Sequence, residues 1–538
     1  MANQSTTASA GGLRPSQRYL STRGKDRDLS FETVVMNGLA TDGGLYLPEE
    51  IPDASSTHWE QWKDLSFPEL AFEIFSLYIS RDEIPAEDLK DILDRSYSPA
   101  AWRAKEVTPL VKLNDLYVLE LFHGPTFAFK DVALQTLGNL FEYFLLRKNA
   151  GKVGRDRHHL TVIGATSGDT GSAAIYGLRG KKDADIFILH PRGRVSPIQE
   201  AQMTTVLDSN VHNLAVEGTF DDCQDIVKAL FADPEINRTL NLGAVNSINF
   251  ARVLAQITYY FSSYFSLCKA DGSFKLGDKV RFVVPTGNFG DILAGYFAHR
   301  MGLPVEKLVI ATNENDILHR FWQSGRYEKK PTGSPITVAD MDDVRETLSP
   351  AMDILVSSNF ERLLWFMAHE QALSPPGVDD TAAKRQASQE VAQWLTDLKS
   401  KGGFEVPAGV LQTARRDFES ERVSDQQTVE TIKATYDKLG YILDPHSAIG
   451  VCASLRSLSR SSVPHIALST AHPAKFAKAV DLALKNEPGY DFEGKVLPPQ
   501  FLGLETRERR VKLVDSNSWE EVGRLVKATI EGKVVSAA

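Results

Sequence analysis

The sequence predicts an α/β fold of open, twisted, mostly parallel sheets, extended by N-terminal and inserted helical domains. Short runs dense in Val, Ile, Leu and Phe recur along the chain, and each leads into glycine, a small polar residue or a helical pattern. The length of 538 residues also exceeds the size at which one hydrophobic core stops growing.

The elements follow in order. Residues 1–105 read as an N-terminal domain. Residues 1–18 are small and polar, without the apolar run of a secretory signal or the amphipathic repeat of an organellar one, and read as a disordered cytosolic leader. "SFETVVMNGLA" is helix-like and "TDGGLYLP" is a turn, with polar helical segments after it. The core, 106–325, holds "LYVLELF", "HLTVIGAT", "DIFILHP", "VRFVVPT" and "KLVIATN" as buried parallel strands. Residues 326–440, from "GRYEKKPTGSP" through polar helical stretches, read as an appended helical subdomain. Residues 441–490 return to the core with "HIALSTA". Residues 491–538 form a tail ending in a helix, where Ser518 and Glu521 fit a capping box.

Composition excludes several classes. Hydrophobic content of 42% and charged content of 24% belong to a soluble globular protein. A formal net charge of −10 disfavours nucleic acid or an anionic membrane as partner. Cys223, Cys268 and Cys452 lie far apart, giving neither a disulfide framework nor a zinc spacing, which fits a reducing, cytoplasmic setting and no metal. The longest apolar runs fall far short of the ~20 residues of a membrane helix.

Three stretches carry chemistry. "HGPTFAFKDVALQ" sets Lys130 between aromatic residues, with Phe127 and Phe129 flanking it and Asp131 as a nearby countercharge. Taken alone, this lysine either lays its stem on apolar surface with its head in water, or is a desolvated amine of lowered pKa suited to condensing with a carbonyl cofactor. "VIGATSGDTGSAA" and "FVVPTGNFGDILAG" each run from strand through glycines into a helix, where free backbone N–H groups offer an anion socket; glycine at such turns can equally be structural. Neither loop has the order of a nucleotide triphosphate grip or a dinucleotide fingerprint. Two sockets and a desolvated lysine together suit pyridoxal phosphate.

These stretches, with "HPRGRVSPIQEAQM", "NSINFARVLAQITYYF", "DPHSAIGVCA" and "TAHPAKF", occur in the order and spacing of the threonine synthases. "YLSTRG" and "SFETVVMNGLATDGGLYLPEEIP" resemble that family's N-terminal region. The likeness runs from about residue 19 to beyond residue 500 and is greatest to the long fungal and bacterial form, whose core is similar to other fold-type II pyridoxal-phosphate enzymes.

The resemblance implies roles position by position. Lys130 matches the lysine that holds the cofactor and then moves protons. Gly287, Asn288, Phe289, Gly290 and Asp291 match the loop that holds the cofactor phosphate through backbone amides, and Thr470 the hydroxyl facing the pyridine nitrogen. Ser167, Gly168, Asp169 and Thr170 match the loop that receives the amino-acid carboxylate. Asn246, Ser247, Asn249 and Arg252 match the residues around the substrate phosphate; read without the family, they are a capped helix start with an arginine on its solvated face. The implied reaction turns O-phospho-L-homoserine and water into L-threonine and phosphate, in a monomer acting on a small molecule. A phospho-lyase giving 2-oxobutyrate and a noncatalytic small-molecule binding protein are the rivals. His123, His446 and His472 read as local hydrogen bonders.

Overall fold

The computed structural model describes residues 17–54, 59–330 and 344–536. All but the last two residues of the expected leader, and residues 331–335 of the "GRYEKKPTGSP" stretch, lie outside the described residues.

Two sheets form the core. The larger has six strands in the spatial order Phe418–Arg422, Val305–Thr312, Val280–Pro285, His465–Ser469, Leu116–Glu120 and Leu110–Leu113, parallel except for the last, which pairs antiparallel with its neighbour. The smaller has five parallel strands in the order Lys512–Val514, Val211–Val216, Ala184–Pro191, Leu160–Ala165 and Leu242–Gly243. All six expected strands are among these. Their unbroken apolar runs arise because helices cover both sheet faces; every residue of Ala184–Pro191 and Val280–Pro285 is buried.

Five strands, Leu116–Glu120, Leu160–Ala165, Leu242–Gly243, Val280–Pro285 and His465–Ser469, deliver the candidate residues beyond their carboxyl ends, where open parallel sheets bind ligands. Leu160–Ala165 leads into the helix Asp169–Leu178, and Leu116–Glu120 leads through a loop into the helix Lys130–Lys148. These two helices meet backbone to backbone. A Cβ on Gly138 would lie 1.9 Å from the Gly177 carbonyl oxygen, and one on Gly177 would lie 2.4 Å from the Leu134 carbonyl oxygen. The contact fixes the lysine helix, from Leu134 to Gly138, against the last turn of the Asp169 helix.

Two regions differ from their sequence reading. The N-terminal residues do not stand apart, because their aromatic residues need burial and find it on the central helix Phe250–Ala270: Tyr19 packs edge-on to Phe250 at 5.4 Å and Trp62 to Phe261 at 5.9 Å. The segment 326–440 is not purely helical, since Phe418–Arg422 returns to the edge of the large sheet. Only its first residue is buried, as befits an edge strand with one neighbour, so "FESER" carries no apolar run to read. At the C-terminus Ser518 Oγ caps its helix by accepting from Glu521 N at 3.2 Å, while the Glu521 carboxylate accepts from Ser516 Oγ at 2.6 Å, leaving half of the expected capping box.

Gly138→Ala or Gly177→Ala sets a methyl against a carbonyl that cannot move without its helix. Each is expected to destabilise the fold by about 1–3 kcal/mol, read as a lowered thermal midpoint. An unchanged midpoint would refute the helix contact.

Candidate active site

The lysine loop is held by main chain from the end of the strand His465–Ser469. Phe129 N donates to Thr470 O at 2.8 Å, and His472 N donates to Phe127 O at 3.1 Å. Phe127 takes a left-handed φ of 61°, a strained state for a bulky residue. Packing compensates: its ring lies 4.6 Å from that of Phe501 and beneath the Arg103 guanidinium at 3.4 Å. Of the two flanking phenylalanines, only Phe129 therefore lines the cavity, its ring centre 5.2 Å from Lys130 Nζ.

The expected countercharge also moves. The Asp131 carboxylate is turned back onto its own loop, accepting from Thr126 N and Thr126 Oγ1 at 2.7 Å each. Burial lowers Lys130 to about 8; among the charges around it Asp169 raises it most, while Lys475 and Arg252 lower it further. At neutral pH such an amine exchanges protons readily.

Asp169 opens its helix after Gly168, whose φ of 152° and tight setting exclude a side chain: a Cβ there would lie 2.6 Å from the Gln199 carboxamide. Thr166 Oγ1 fixes the turn by accepting from Gly168 N at 3.0 Å and Gly171 N at 2.9 Å. The Asp169 carboxylate accepts from Gln199 Nε2 and from Lys475 Nζ, both at 2.7 Å. Burial pushes its pKa up, but Lys475 and Lys130 outweigh burial and hold it below the usual carboxylate range. Asp169 and Thr170 line the cavity, and Ser167 and Gly168 form the turn leading to them.

The second socket begins the helix Gly290–Arg300. Phe289, its N-cap, is left-handed at φ 65°, with its ring set among Trp322, Phe360 and Phe418 at 5.4–6.1 Å. The loop carbonyls are tied outward: Ser357 Oγ donates to Gly287 O at 2.6 Å, and Asn359 donates to Asn288 O through N at 3.0 Å and Nδ2 at 3.1 Å. The first-turn amides have no intrahelical acceptor. Asp291 follows, accepting from Tyr259 Oη at 2.5 Å and pushed up to about 7 by burial.

Arg252 is buried rather than solvated. Its Nη1 donates to Val245 O at 2.9 Å, its Nε has no partner among the described residues, and burial lowers it to about 10. Asn246 and Ser247 line the cavity with it. Asn249 does not: it accepts from Ala251 N at 3.1 Å as the helix cap and donates to Val35 O at 2.9 Å. Thr470 lines the cavity, its N donating to Ser447 Oγ at 3.0 Å.

Two residues at or beside the site, Gln256 and Lys475, escape the sequence reading, and a third, His446, reads there only as a local hydrogen bonder. Gln256 lines the cavity one helical turn after Arg252, a spacing that could have revealed it. Lys475, in the quoted "TAHPAKF", grips Asp169. His446 lines the cavity, its Nε2 accepting from Ala351 N at 3.2 Å and its Nδ1 lying 2.8 Å from Asp444 Oδ1. His123 and His472 are local hydrogen bonders, to Glu120 and from Ala474 N.

The cavity has a volume of about 390 Å³. A buried amine of lowered pKa and a socket of free amides suit the aldehyde and the phosphate of pyridoxal phosphate, and the unpartnered Arg252 Nε suits a further anion. This donor set, at the carboxyl ends of parallel strands, defines the pyridoxal-phosphate-dependent enzymes of fold type II, and residues 101–365 match the family described as "Pyridoxal-phosphate dependent enzyme". Residues 18–97 match "Threonine synthase N terminus" and residues 447–526 match "Threonine synthase, C-terminal". A threonine synthase of Schizosaccharomyces pombe is 58% identical over 495 residues, 91% of this chain and 94% of that protein. The crystal structure of threonine synthase from yeast aligns with a TM-score of 0.88 at 52% identity, covering 97% of this chain and 100% of that one. The pyridoxal-phosphate-bound threonine synthase from Brucella melitensis aligns at 0.82 and 42% identity, covering 96% and 99%. The chain belongs to the threonine synthase family and is a pyridoxal-phosphate-dependent lyase.

Lys475→Met leaves Asp169 buried without its cation and is expected to destabilise the protein by about 3–5 kcal/mol in denaturant unfolding at neutral pH. Because the folded pKa of Asp169 is depressed, the pair stabilises above the ordinary carboxylate range and loses its effect as pH falls. The gap between wild type and variant should therefore narrow in acid; a gap independent of pH would refute the pairing.

Proposed function

We propose that the chain converts O-phospho-L-homoserine and water to L-threonine and phosphate, the last step of threonine biosynthesis, with Lys130 as the proton-moving base. The observation that carries this reading is Arg252, a buried guanidinium with an unpartnered Nε on the wall of the cavity that also holds Lys130. A substrate with both a carboxylate and a phosphate needs two anion sites besides the cofactor's own.

Gly287, Asn288, Phe289 and Gly290 would hold the cofactor phosphate through backbone amides, Lys130 would hold its aldehyde carbon, and Thr470 would meet its ring nitrogen with a neutral hydroxyl. Bound there, the cofactor supplies an electron sink for negative charge developing next to the amino-bearing carbon. The helix start at Ser167–Thr170 receives the substrate carboxylate. Arg252, Asn246 and Ser247 hold the phosphate and take up charge as it leaves Cγ. Lys130 removes the Cα proton; a further proton leaves Cβ, phosphate leaves Cγ, and Cγ is protonated. Water activated by the phosphate still held at Arg252 adds its hydroxyl at Cβ, and Lys130 returns a proton to Cα. An amine titrating near 8 can give and take each of these protons. Phe129 and the packed lysine loop keep bulk water from the amine.

The protein acts on this small molecule as a cytoplasmic monomer. In support, no helix among the described residues is long and apolar enough to cross a membrane, and the three cysteines are free. Exposed large apolar side chains such as Leu455, Leu482 and Leu513 belong to separate elements, the scatter normal for a monomer.

Incubation with O-phospho-L-homoserine is expected to release threonine and phosphate in equal amounts; phosphate without threonine, or 2-oxobutyrate in its place, would overturn the reading. Lys130→Ala is expected to abolish turnover. Arg252→Gln is expected to raise KM about 10- to 100-fold, the loss of a charged hydrogen bond to the substrate phosphate, while the thermal midpoint stays near wild type.

A further inference from the structure

Asp291 is the residue of the phosphate socket whose side chain that function leaves unexplained. It stands in the first turn of the helix Gly290–Arg300, beside the loop proposed as the phosphate socket, and it is one of the residues lining the same cavity. An ionised carboxylate there would repel the phosphate that the socket is built to hold. Its hydrogen bonds are one-sided. Tyr259 Oη lies 2.5 Å from Oδ1; Tyr260 Oη lies 3.0 Å from the same oxygen and 2.9 Å from the Asp291 carbonyl. Oδ2 is buried and has no partner among the described residues.

We propose that Asp291 serves as a neutral carboxylic acid whose Oδ2–H donates to the cofactor phosphate, so that phosphate binding is linked to retention of one proton. The proposal rests on the assignment of Gly287–Gly290 as the phosphate socket. Burial raises both tyrosine hydroxyls well above their ordinary range, so they stay donors, and with Oδ1 accepting, the carboxyl proton belongs on Oδ2. Burial, partly offset by the Tyr259 and Tyr260 hydrogen bonds, brings Asp291 to about 7, and a neighbouring phosphate dianion favours the protonated form further. The titratable groups in contact with it are Tyr259 and Tyr260 on the helix Phe250–Ala270; Arg252 on the same helix, and Lys130, Asp169, Lys228 and His446 from other elements, line the same cavity.

The test uses the cofactor-free enzyme and 4′-deoxypyridoxine 5′-phosphate, which carries the phosphate but no aldehyde and so cannot condense with Lys130; pyridoxine, without phosphate, is the control. Dissociation constants are measured by calorimetry between pH 7 and pH 9 for wild type and Asp291→Asn, whose amide donates at every pH. Titration of Lys130 is common to both proteins, so their ratio isolates Asp291. The wild-type constant is expected to rise about 10- to 100-fold more than that of the variant, as one linked proton requires, with the ratio for pyridoxine unchanged. An equal rise in both proteins would overturn the proposal. Wild-type binding of 4′-deoxypyridoxine 5′-phosphate no tighter than pyridoxine would instead overturn the socket beneath it. Tyr259→Phe removes a donor that favours the carboxylate, so the rise should move to higher pH. If Asp291→Asn does not fold, the absence of that move overturns the proposal.

Discussion

The cavity depends on a buried ammonium that belongs to neither of its loops by sequence. Lys475 follows a strand of the large sheet, its side chain has no solvent exposure, and it bonds at once to Asp169, which opens a helix of the small sheet, and to the Thr126 carbonyl of the lysine loop. A buried ion pair gains little net stability over apolar packing of similar shape, because both charges are desolvated. What it gives here is register: three segments far apart in the chain must arrive together for either charge to be satisfied. It also lets a carboxylate sit in the loop proposed to receive a substrate carboxylate, since the negative charge of Asp169 is already matched by the cation.

The charges around the cavity then follow from burial and pairing. Asp169 stays ionised because Lys475 and Lys130 face it; Asp131 and Asp291, without a cation in hydrogen-bond contact, rise toward neutrality, to about 6 and about 7. Lys130 and Arg252 both fall from their ordinary values and lack a carboxylate dedicated to them alone. The wall is therefore electropositive without exposing a basic surface, so a chain of net charge −10 can still offer a cavity suited to anions.

Much of this was legible in the sequence, for physical reasons. Buried parallel strands have both faces covered, so their composition alone marks them, and the turns after them must contain glycine where the backbone bends sharply. Edge strands such as Phe418–Arg422 and Lys512–Val514 escape because exposure removes the apolar signal. Countercharges escape for a different reason. Asp131 adjoins Lys130 in sequence, yet a residue and its successor on a helix point to different sides, so Asp131 closes the loop and the acid that raises Lys130 most comes from another sheet. Asn249 stands among the ligands by the family resemblance alone, whereas the residues read without it give a capped helix start at Asn246 or Ser247; the cap is Asn249 itself, a need that is local to the helix.

Two left-handed phenylalanines show how the inserted segment enters the site. Phe127 and Phe289 each occupy a backbone state that glycine would adopt freely, one in each cofactor loop. Glycine at Phe289 would relieve the strain but remove the ring, and the ring is what joins the loop to Phe360 and Phe418, both within the segment that reads as appended. The same segment supplies Ser357 and Asn359, which turn the carbonyls of Gly287 and Asn288 away from the cavity, and Ala351 and Met352 on its wall. An anion socket built of backbone amides works only if the adjoining carbonyl oxygens are held elsewhere. The inserted segment is thus part of the socket's construction, and the strain at Phe289 is balanced by the contacts that make it so.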